Sequence, residues 1–461
     1  MTILVAPECI CTLREARELM TEKIRQLTQQ IHLPRGIVRL EIRINPLDCL
    51  DWLNAQENEV KIFWSSRDDD LEIAGIGAAH NLTGNNIEQC DKVFQQISKN
   101  LISSASRARY FGGFSFHSRI LSKEWTDFKN CRFVLPRFEF IQADGKTMLA
   151  CNVLLNGSAA KIQQTVLKEF NEINFLIKSS TLKIPLAKSR QDVPNHERWI
   201  EIIKTILEAF KKSEYKKVVL ARKTIFDFME PVDPAVFLSL LKKVTPDCFH
   251  FLFQPSADTA FIGASPERLY KRQGRFIESE AVAGTRPRGK TPAEDKKLQV
   301  DLTTSKKEEL EHLLVVDAVQ AALAQLCPEV QVDGLKSLMK FKWGQHLVTQ
   351  FEGRLKGSIT DMDLLKGLHP TPAVAGCPTD WALKKIQELE GFDRGWYAGP
   401  IGYIGHDQTE FAVAIRSGLI FGEQLSLFAG AGIVLGSSPQ DEWEEIEQKI
   451  NVFTQILNHE L

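Results

Sequence analysis

Two short acidic runs in the C-terminal half of the chain are spaced for shared work. Glu308 and Glu311 stand three apart in SKKEELEHLL, and Glu442 and Glu445 do the same in SSPQDEWEEIEQKI. On a helix, that spacing puts both carboxylates on one face. Two such faces brought together make a hard, all-oxygen site suited to Mg²⁺, with water and a substrate oxygen completing the shell. Either helix alone reads more simply as a solvated acidic face. Glu309, Asp441 and Glu444 compete with the pairs, so spacing does not select the ligands.

Three cationic or titratable residues stand in strand-like runs. Lys217 opens KVVLARK and shares a face with Val219, Ala221 and Lys223; a lysine on a partly apolar face beside other cations can have its pKa lowered enough to act as a base, although most such lysines snorkel at an edge. Arg416, in FAVAIRSG, shares its face with the small Ala412 and Ala414. That leaves room for a carboxylate held by the two-pronged guanidinium. His346, in WGQHLVTQF, can orient a hydroxyl or sit as a satisfied core histidine.

Two glycine-rich segments imitate nucleotide-binding loops. Residues 284–291, GTRPRGKT, fit G-x-x-x-x-G-K-[ST] letter for letter. A phosphate-cradling loop needs consecutive backbone N–H groups as it enters its helix. Pro287 lies inside this one and Pro292 follows it directly, each removing a donor. The would-be Walker B run LLVVD falls within a stretch of helical period, so a nucleotide hydrolase is set aside. GAGIVLG at 430–436 has Leu435 where a dinucleotide fingerprint needs its third glycine. Its glycines fit close approach of the backbone to a small ligand, or a bulge.

The elements that must position these residues differ along the chain. Residues 12–31 have the period of an amphipathic helix. To about residue 185, strand-like runs then alternate with polar turns: GIVRLEIRI, KIFWSS, LEIAGIGAA, RYFGGFSF, CRFVLPRFEFIQ and TMLACNVLL. The alternation predicts antiparallel sheet rather than βαβ units. The polar, proline-containing stretch 182–197 is the best boundary candidate. After it come a helix from Arg198, the strand beginning at Lys216, the runs TAFIGASPERLYKR and RFIESEAVAG, one long helix from about 293 to 326, HLVTQFEGRLKG, FAVAIRSGLIF, QLSLFAGAGIVLG, and a closing helix from about 439. The class is α+β.

The 461 residues are 43% hydrophobic and 25% charged, as in an ordinary globular protein. A formal charge of −2 gives no reason to expect nucleic acid or an anionic membrane as partner. Nine scattered cysteines with no C-x-x-C read as thiols in a reducing compartment. The opening MTILVAPECIC lacks a signal-peptide pattern, and no run is long enough for a membrane helix. The expected location is cytoplasmic, or stromal for a mature organellar form.

From Lys217 to Lys449 a series of motifs resembles the chorismate-utilising enzymes, the family of isochorismate, salicylate, anthranilate and aminodeoxychorismate synthases. The matching runs are KVVLAR (217–222), FIGASPERL (261–269), AVAGTRPRG (281–289), EELEHL (308–313), QHLVTQFEG (345–353), LHPTPAVAG (368–376), GWYAGPIGY (395–403), AIRSG (414–418) and AGAGIVLGSSPQDEWEE (429–445). They stand in family order over more than half the chain. The resemblance implies two antiparallel β-sheets packed as a sandwich with helices outside, as in anthranilate synthase component I. Residues 1–190 would be an N-terminal extension of that fold and 191–461 the chorismate-binding catalytic domain.

The resemblance also assigns roles. Lys217 would activate water, Glu267 in SPERL would protonate the departing ring hydroxyl, and His346 would sit beside the ring. Glu311 and Glu445 would bind Mg²⁺ directly, with Glu308 and Glu442 in support. Arg416, Lys449, Thr285 and the backbone at Gly284 and Gly432 would hold the substrate carboxylates, with Ala373 and Tyr403 also against the substrate. Ammonia-using relatives typically carry glutamine where this chain has Lys217, and aminodeoxychorismate synthases often carry lysine where it has Ala283. Both differences favour water as nucleophile, hence an isochorismate product and no glutamine amidotransferase partner, and the N-terminal length suggests the quinone-pathway type. Salicylate formers tend to have threonine at the position of Ala373, which makes a salicylate synthase the alternative. A non-catalytic chorismate-binding subunit is the third reading.

Overall fold

The computed structural model describes the whole chain except residues 1, 6–8, 28–35, 69, 105–106, 118–120, 177–182, 213–214, 343 and 460–461. Local chemistry accounts for where its elements start. Helix Leu13–Gln26 opens on a capping box, in which the Thr12 side chain accepts from the Glu15 N–H and the Glu15 carboxylate from that of Thr12. It buries Ala16, Met20 and Ile24 on one face, while the end of the stretch expected to be helical, 28–31, lies outside the described residues. The boundary candidate contains a short exposed strand, Ala187–Val193, paired with Lys217–Phe228.

Among the described residues, hydrogen bonds join twenty strands into one sheet. All named pairings are antiparallel but one, the parallel pairing of Thr2–Val5 with Gly36–Ile44. The resemblance implies two antiparallel sheets packed as a sandwich; the strands are joined by hydrogen bonds into one branched sheet with two arms. The branch is at strand Cys131–Ala143, which lies against Leu71–Gly84 along one edge. Its other edge is shared by Arg109–Phe114 and Lys146–Leu155.

One arm runs from Leu71–Gly84 through Lys61–Ser65, Phe249–Ser256, Thr259–Ser265, Ser417–Phe421 and Gln424–Val434 to Lys217–Phe228. The other runs from Arg109–Phe114 through Pro400–Gly405, Gln408–Val413, Arg268–Gln273 and Phe276–Pro287 to Gly344–Arg354. A further strand, Val330–Lys340, pairs beyond it; its mixed polar sequence hid it from the periodicity.

The chain crosses between the arms at two adjacent bends. Pro266 and Glu267 link Thr259–Ser265 to Arg268–Gln273, and Ala414–Arg416 link Gln408–Val413 to Ser417–Phe421. Each bend was read in the sequence as part of an unbroken strand. The bends are bonded to each other: Val413 N–H donates to Glu267 O at 3.1 Å, Ala264 N–H to Arg416 O at 3.0 Å, and the Ser265 hydroxyl to Val413 O at 2.6 Å. Arg416 takes a φ of 50°, rare for a side chain with a Cβ.

The single helix expected over 293–326 is two, Pro292–Thr304 and Lys306–Leu326. Ser305 breaks it by leaving helical geometry, and its side chain accepts from the Glu308 N–H. No helix among the described residues is long and apolar enough to cross a membrane. The nine cysteines form no disulfide, and seven are buried.

Candidate active site

Where the two arms meet the helices Lys306–Leu326 and Pro439–Leu457, they line a partly open cavity with about 100 Å³ of room for water-sized molecules. One arm supplies Val219, Gly430 and Gly432, and the other Val282, Gly284 and His346. Of the residues singled out in the sequence, Glu267, His346, Glu308, Glu311, Glu445, Gly284, Thr285, Arg416, Gly432, Lys449 and Ala373 all line it.

Lys217 and Glu442 stand just behind the wall. Lys217 is fully buried, with Nζ 2.8 Å from Glu311 Oε1. Glu442 is buried one helical turn before Glu445 and receives Lys307 Nζ at 2.9 Å. Tyr403 is a correction. It pairs in register with Phe111 and Glu410 inside strand Pro400–Gly405, and its ring packs against Trp64 and Phe111 and under Arg109. Tyr397 takes the place on the cavity, from a turn where the chain is free of the strand ladder. Lys307, Val374 and Ile415 also line it without having been singled out; each is adjacent to, or one step from, a residue that was.

Two glycines are required by close approach. A Cβ at Gly432 would lie 2.5 Å from Glu311 Oε1 and 3.1 Å from Lys217 Cε, so the strand can pass the ion pair only without a side chain. Gly284 has a φ of +74°, and a Cβ there would meet Glu308 Oε2 at 3.1 Å. The P-loop-like segment between Gly284 and Thr291 spends its amides internally: Gly289 N–H donates to Asp295 Oδ1 at 3.0 Å and Lys290 N–H to Glu294 Oε2 at 2.8 Å. Gly430 and Gly432 lie mid-strand, paired with Ala221 and Val219, not in a dinucleotide turn.

Every carboxylate of the two glutamate pairs has its own cation. Arg286 Nη1 lies 2.7 Å from Glu308 Oε1, Lys217 2.8 Å from Glu311, Lys307 2.9 Å from Glu442, and Lys449 Nζ 2.5 Å from Glu445 Oε1. Burial, then the neighbouring Glu311, raises Glu308 above the ordinary carboxylate range, partly offset by Arg286. Burial, then Glu445, does the same to Glu442. For Glu445 burial pushes upward too, but Lys449, Lys307 and Arg416 together outweigh it and hold the group low.

Among the described residues no three acidic, histidine or cysteine side chains converge as a ready metal cage. In kind the donors nevertheless suit a hard divalent cation: they are all oxygen, they come from two helices joined by the Lys307–Glu442 ion pair, and within each pair the carboxylates repel one another. Admitting such an ion means drawing glutamates away from their lysines.

The remaining polar groups are set for acid–base and anion chemistry. Burial, then Glu280, pushes Glu267 up to about 8, against the pull of Lys217 and Lys449. It therefore carries its proton at neutral pH. Burial, then Arg416 and Lys449, pushes His346 down to about 3, so the ring is neutral. Its Nδ1 lies 3.0 Å from the Thr285 hydroxyl and 3.3 Å from Gly284 O. Burial brings Arg416 down to about 10, still cationic at neutral pH. With Lys449, whose Nζ also donates to Gly430 O at 2.9 Å, it gives one end of the cavity a positive lining.

The chain is similar to known proteins over most of its length. The family model described as chorismate binding enzyme matches residues 22–458. Isochorismate synthase 2, chloroplastic, of Arabidopsis thaliana is 35% identical, covering 92% of this chain and 81% of that protein. Isochorismate synthase MenF of Bacillus subtilis is 33% identical over 91% of this chain and 93% of its own length. The solved structure of MenF, the menaquinone-specific isochorismate synthase from Escherichia coli, superposes with a TM-score of 0.86 at 29% identity, covering 96% of this chain and 99% of that one. Anthranilate synthase component I from Streptococcus pneumoniae, at 21% identity and a TM-score of 0.71, shares the fold. The chain belongs to the chorismate-binding enzyme family.

Proposed function

We propose that this protein is an isochorismate synthase: it converts chorismate reversibly to isochorismate by adding water to the ring and expelling the ring hydroxyl. The observation that carries the reading is one cavity lined by a buried proton donor, Glu267, with a buried lysine just behind its wall and a cationic end of Arg416 and Lys449. The substrate's two carboxylates suit that cationic end, since buried charge must be paired. Thr285 and the neutral His346 are placed to orient a ring substituent by hydrogen bonds.

Moving a hydroxyl around the ring needs a base on one side and an acid on the other. Glu267 gives its proton to the departing hydroxyl, and that capacity is lost as pH rises through about 8. Lys217, acting as the neutral amine, takes a proton from the attacking water and becomes the ammonium, while the proton of Glu267 leaves with the expelled hydroxyl as water. Mg²⁺ is the cofactor in this reading, with Glu311 and Glu445 as ligands and Glu308 and Glu442 in support; bound there, it would supply positive charge to a substrate carboxylate. The proposed setting is cytoplasmic quinone biosynthesis, supported by the menaquinone-specific relative. No amidotransferase partner is needed for a water nucleophile.

The test incubates the pure protein with chorismate and Mg²⁺, with and without ammonium, and follows products by chromatography and mass. Isochorismate should accumulate to an equilibrium that ammonium leaves unchanged. Early salicylate with pyruvate would move the assignment to salicylate synthase, despite Ala373; anthranilate would overturn the reading of Lys217; binding without turnover would mark a non-catalytic subunit.

A further inference from the structure

Arg67 follows strand Lys61–Ser65, far in sequence from every residue on the cavity, yet it grips the bend that carries Glu267. Its Nη1 donates to Pro266 O at 2.9 Å and to Glu280 Oε2 at 2.9 Å, and its Nη2 donates to Glu280 Oε1 at 2.5 Å. Glu280, 4% exposed, sits in strand Phe276–Pro287 behind the cavity wall. Arg268, next to Glu267, reaches the same carboxylate at 3.4 Å and is itself held by Glu410 at 3.1 Å and Asp68 at 2.6 Å. Both guanidiniums lie against the Phe249 ring, at 5.4 and 5.5 Å from its centroid.

We propose that Arg67 and Glu280 form a positioning pair for Glu267, the arginine fixing the bend on which the acid sits and the carboxylate that holds the arginine placing a like charge behind that acid. The inference rests on the reading of Glu267 as proton donor. Neither residue lines the cavity, so neither touches substrate.

The geometry gives the pair two separable actions. Pro266 has no N–H with which to brace its own bend; Ser265 Oγ accepts from the Glu267 N–H at 3.2 Å, and the single bond from Arg67 Nη1 to the Pro266 carbonyl ties the bend to Glu280. Glu280 acts through its charge. The groups that face Glu267 are Glu280 from one arm, Lys217 from the other and Lys449 from helix Pro439–Leu457. Further round the cavity stand Lys307, Glu308, Glu311, Glu445, Arg416 and the neutral His346. Of the three that face it, Glu280 alone opposes ionisation of Glu267, and it does so from a site where two arginines fix it. A salt bridge serving only the fold would stabilise the chain without setting the acid's proton affinity.

Two measurements separate the possibilities. The infrared difference spectrum between the unmodified enzyme and E267Q, with Mg²⁺ present, isolates the C=O stretch of the Glu267 acid and can be titrated. In an E280Q background its midpoint should fall by about one pH unit or more, the scale of removing one nearby like charge. In steady-state kinetics R67Q should lower kcat about tenfold or more, as expected for a misplaced group, with KM within about twofold. R67K should recover part, because lysine keeps the charge but not the fork. An E280Q midpoint equal to that of the unmodified enzyme overturns the proposal; so does R67Q at full kcat, a test that stands even if E280Q does not fold. Near-native turnover by E267Q would instead remove the reading of Glu267 as acid, so the two failures are told apart.

Discussion

Two regions of this molecule bury charge, and they do it differently. In the N-terminal strands, Arg39 is completely enclosed and bonds Glu41 at 2.7 Å, Glu139 at 3.0 Å and Asn152 Oδ1 at 2.7 Å. Asn152 in turn donates to Glu139 at 2.6 Å and to Pro136 O at 2.8 Å, and Arg107 closes on Glu41 at 3.1 Å. One planar guanidinium organises the cluster, and it does not line the candidate active-site cavity. At the cavity wall four glutamates are divided among four cations, three of them lysines. A lysine is a mobile point charge and an arginine a fixed fork. In the N-terminal cluster two glutamates share one rigid partner, while along the cavity wall each glutamate has a different cation, and only the arginine among these, Arg286, also holds a second carboxylate, Asp301.

The largest effect that would break this comparison is metal removal. Chelation should abolish turnover and added Mg²⁺ restore it, while the urea midpoint, governed by clusters such as that of Arg39, should move much less; full activity in excess chelator removes the metal from the mechanism. Next come Lys217→Ala and Glu267→Gln, each expected to cut turnover about a hundredfold or more, the scale of a positioned proton-transfer group. Chorismate binding should survive better than rate, and near-native turnover of both would reassign the pair.

Arg39→Met probes the other side. Stranding Glu41 and Glu139 should cost about 3–5 kcal/mol in urea unfolding, with kcat per folded molecule unchanged; a kinetic defect without a stability loss would erase the distinction. The smallest effect is Tyr403→Phe, expected to leave kcat/KM within about twofold because its ring faces Trp64 and Phe111 and not the cavity. A tenfold loss would put Tyr403 back against the substrate.

Much of this was legible in the sequence because it is local. Strand alternation located GIVRLEIRI, CRFVLPRFEFIQ and TMLACNVLL within a residue or so of the observed strands Gly36–Ile44, Cys131–Ala143 and Lys146–Leu155. The i,i+3 spacing put the glutamates on helix faces, and the motifs of the family resemblance chose among them. What escaped was set by tertiary contacts. The bends at Glu267 and Arg416 look like strand interiors because their hydrophobic pattern continues across them; hydrogen bonds between distant segments turn the chain there. Tyr397 and Tyr403 share one motif, and only the ladder partners of Tyr403 show that its ring faces away. Arg67 carries no local signal at all, since its contacts are with Pro266 and Glu280.

The serine break between helices Pro292–Thr304 and Lys306–Leu326 has a consequence for how this protein can vary. Ser305 starts its helix three residues before Glu308, and Ser438 starts helix Pro439–Leu457 four residues before Glu442. Each residue of an α-helix turns the next by roughly 100°. A single insertion between Glu311 and Val315, where the buried anchor of the helix begins, would therefore swing both Glu308 and Glu311 off the cavity together, though every residue type was kept. An insertion ahead of Thr291, in the loop that precedes the first helix, would leave that phase untouched. Length variation should thus be accepted on one side of Ser305 and rejected on the other.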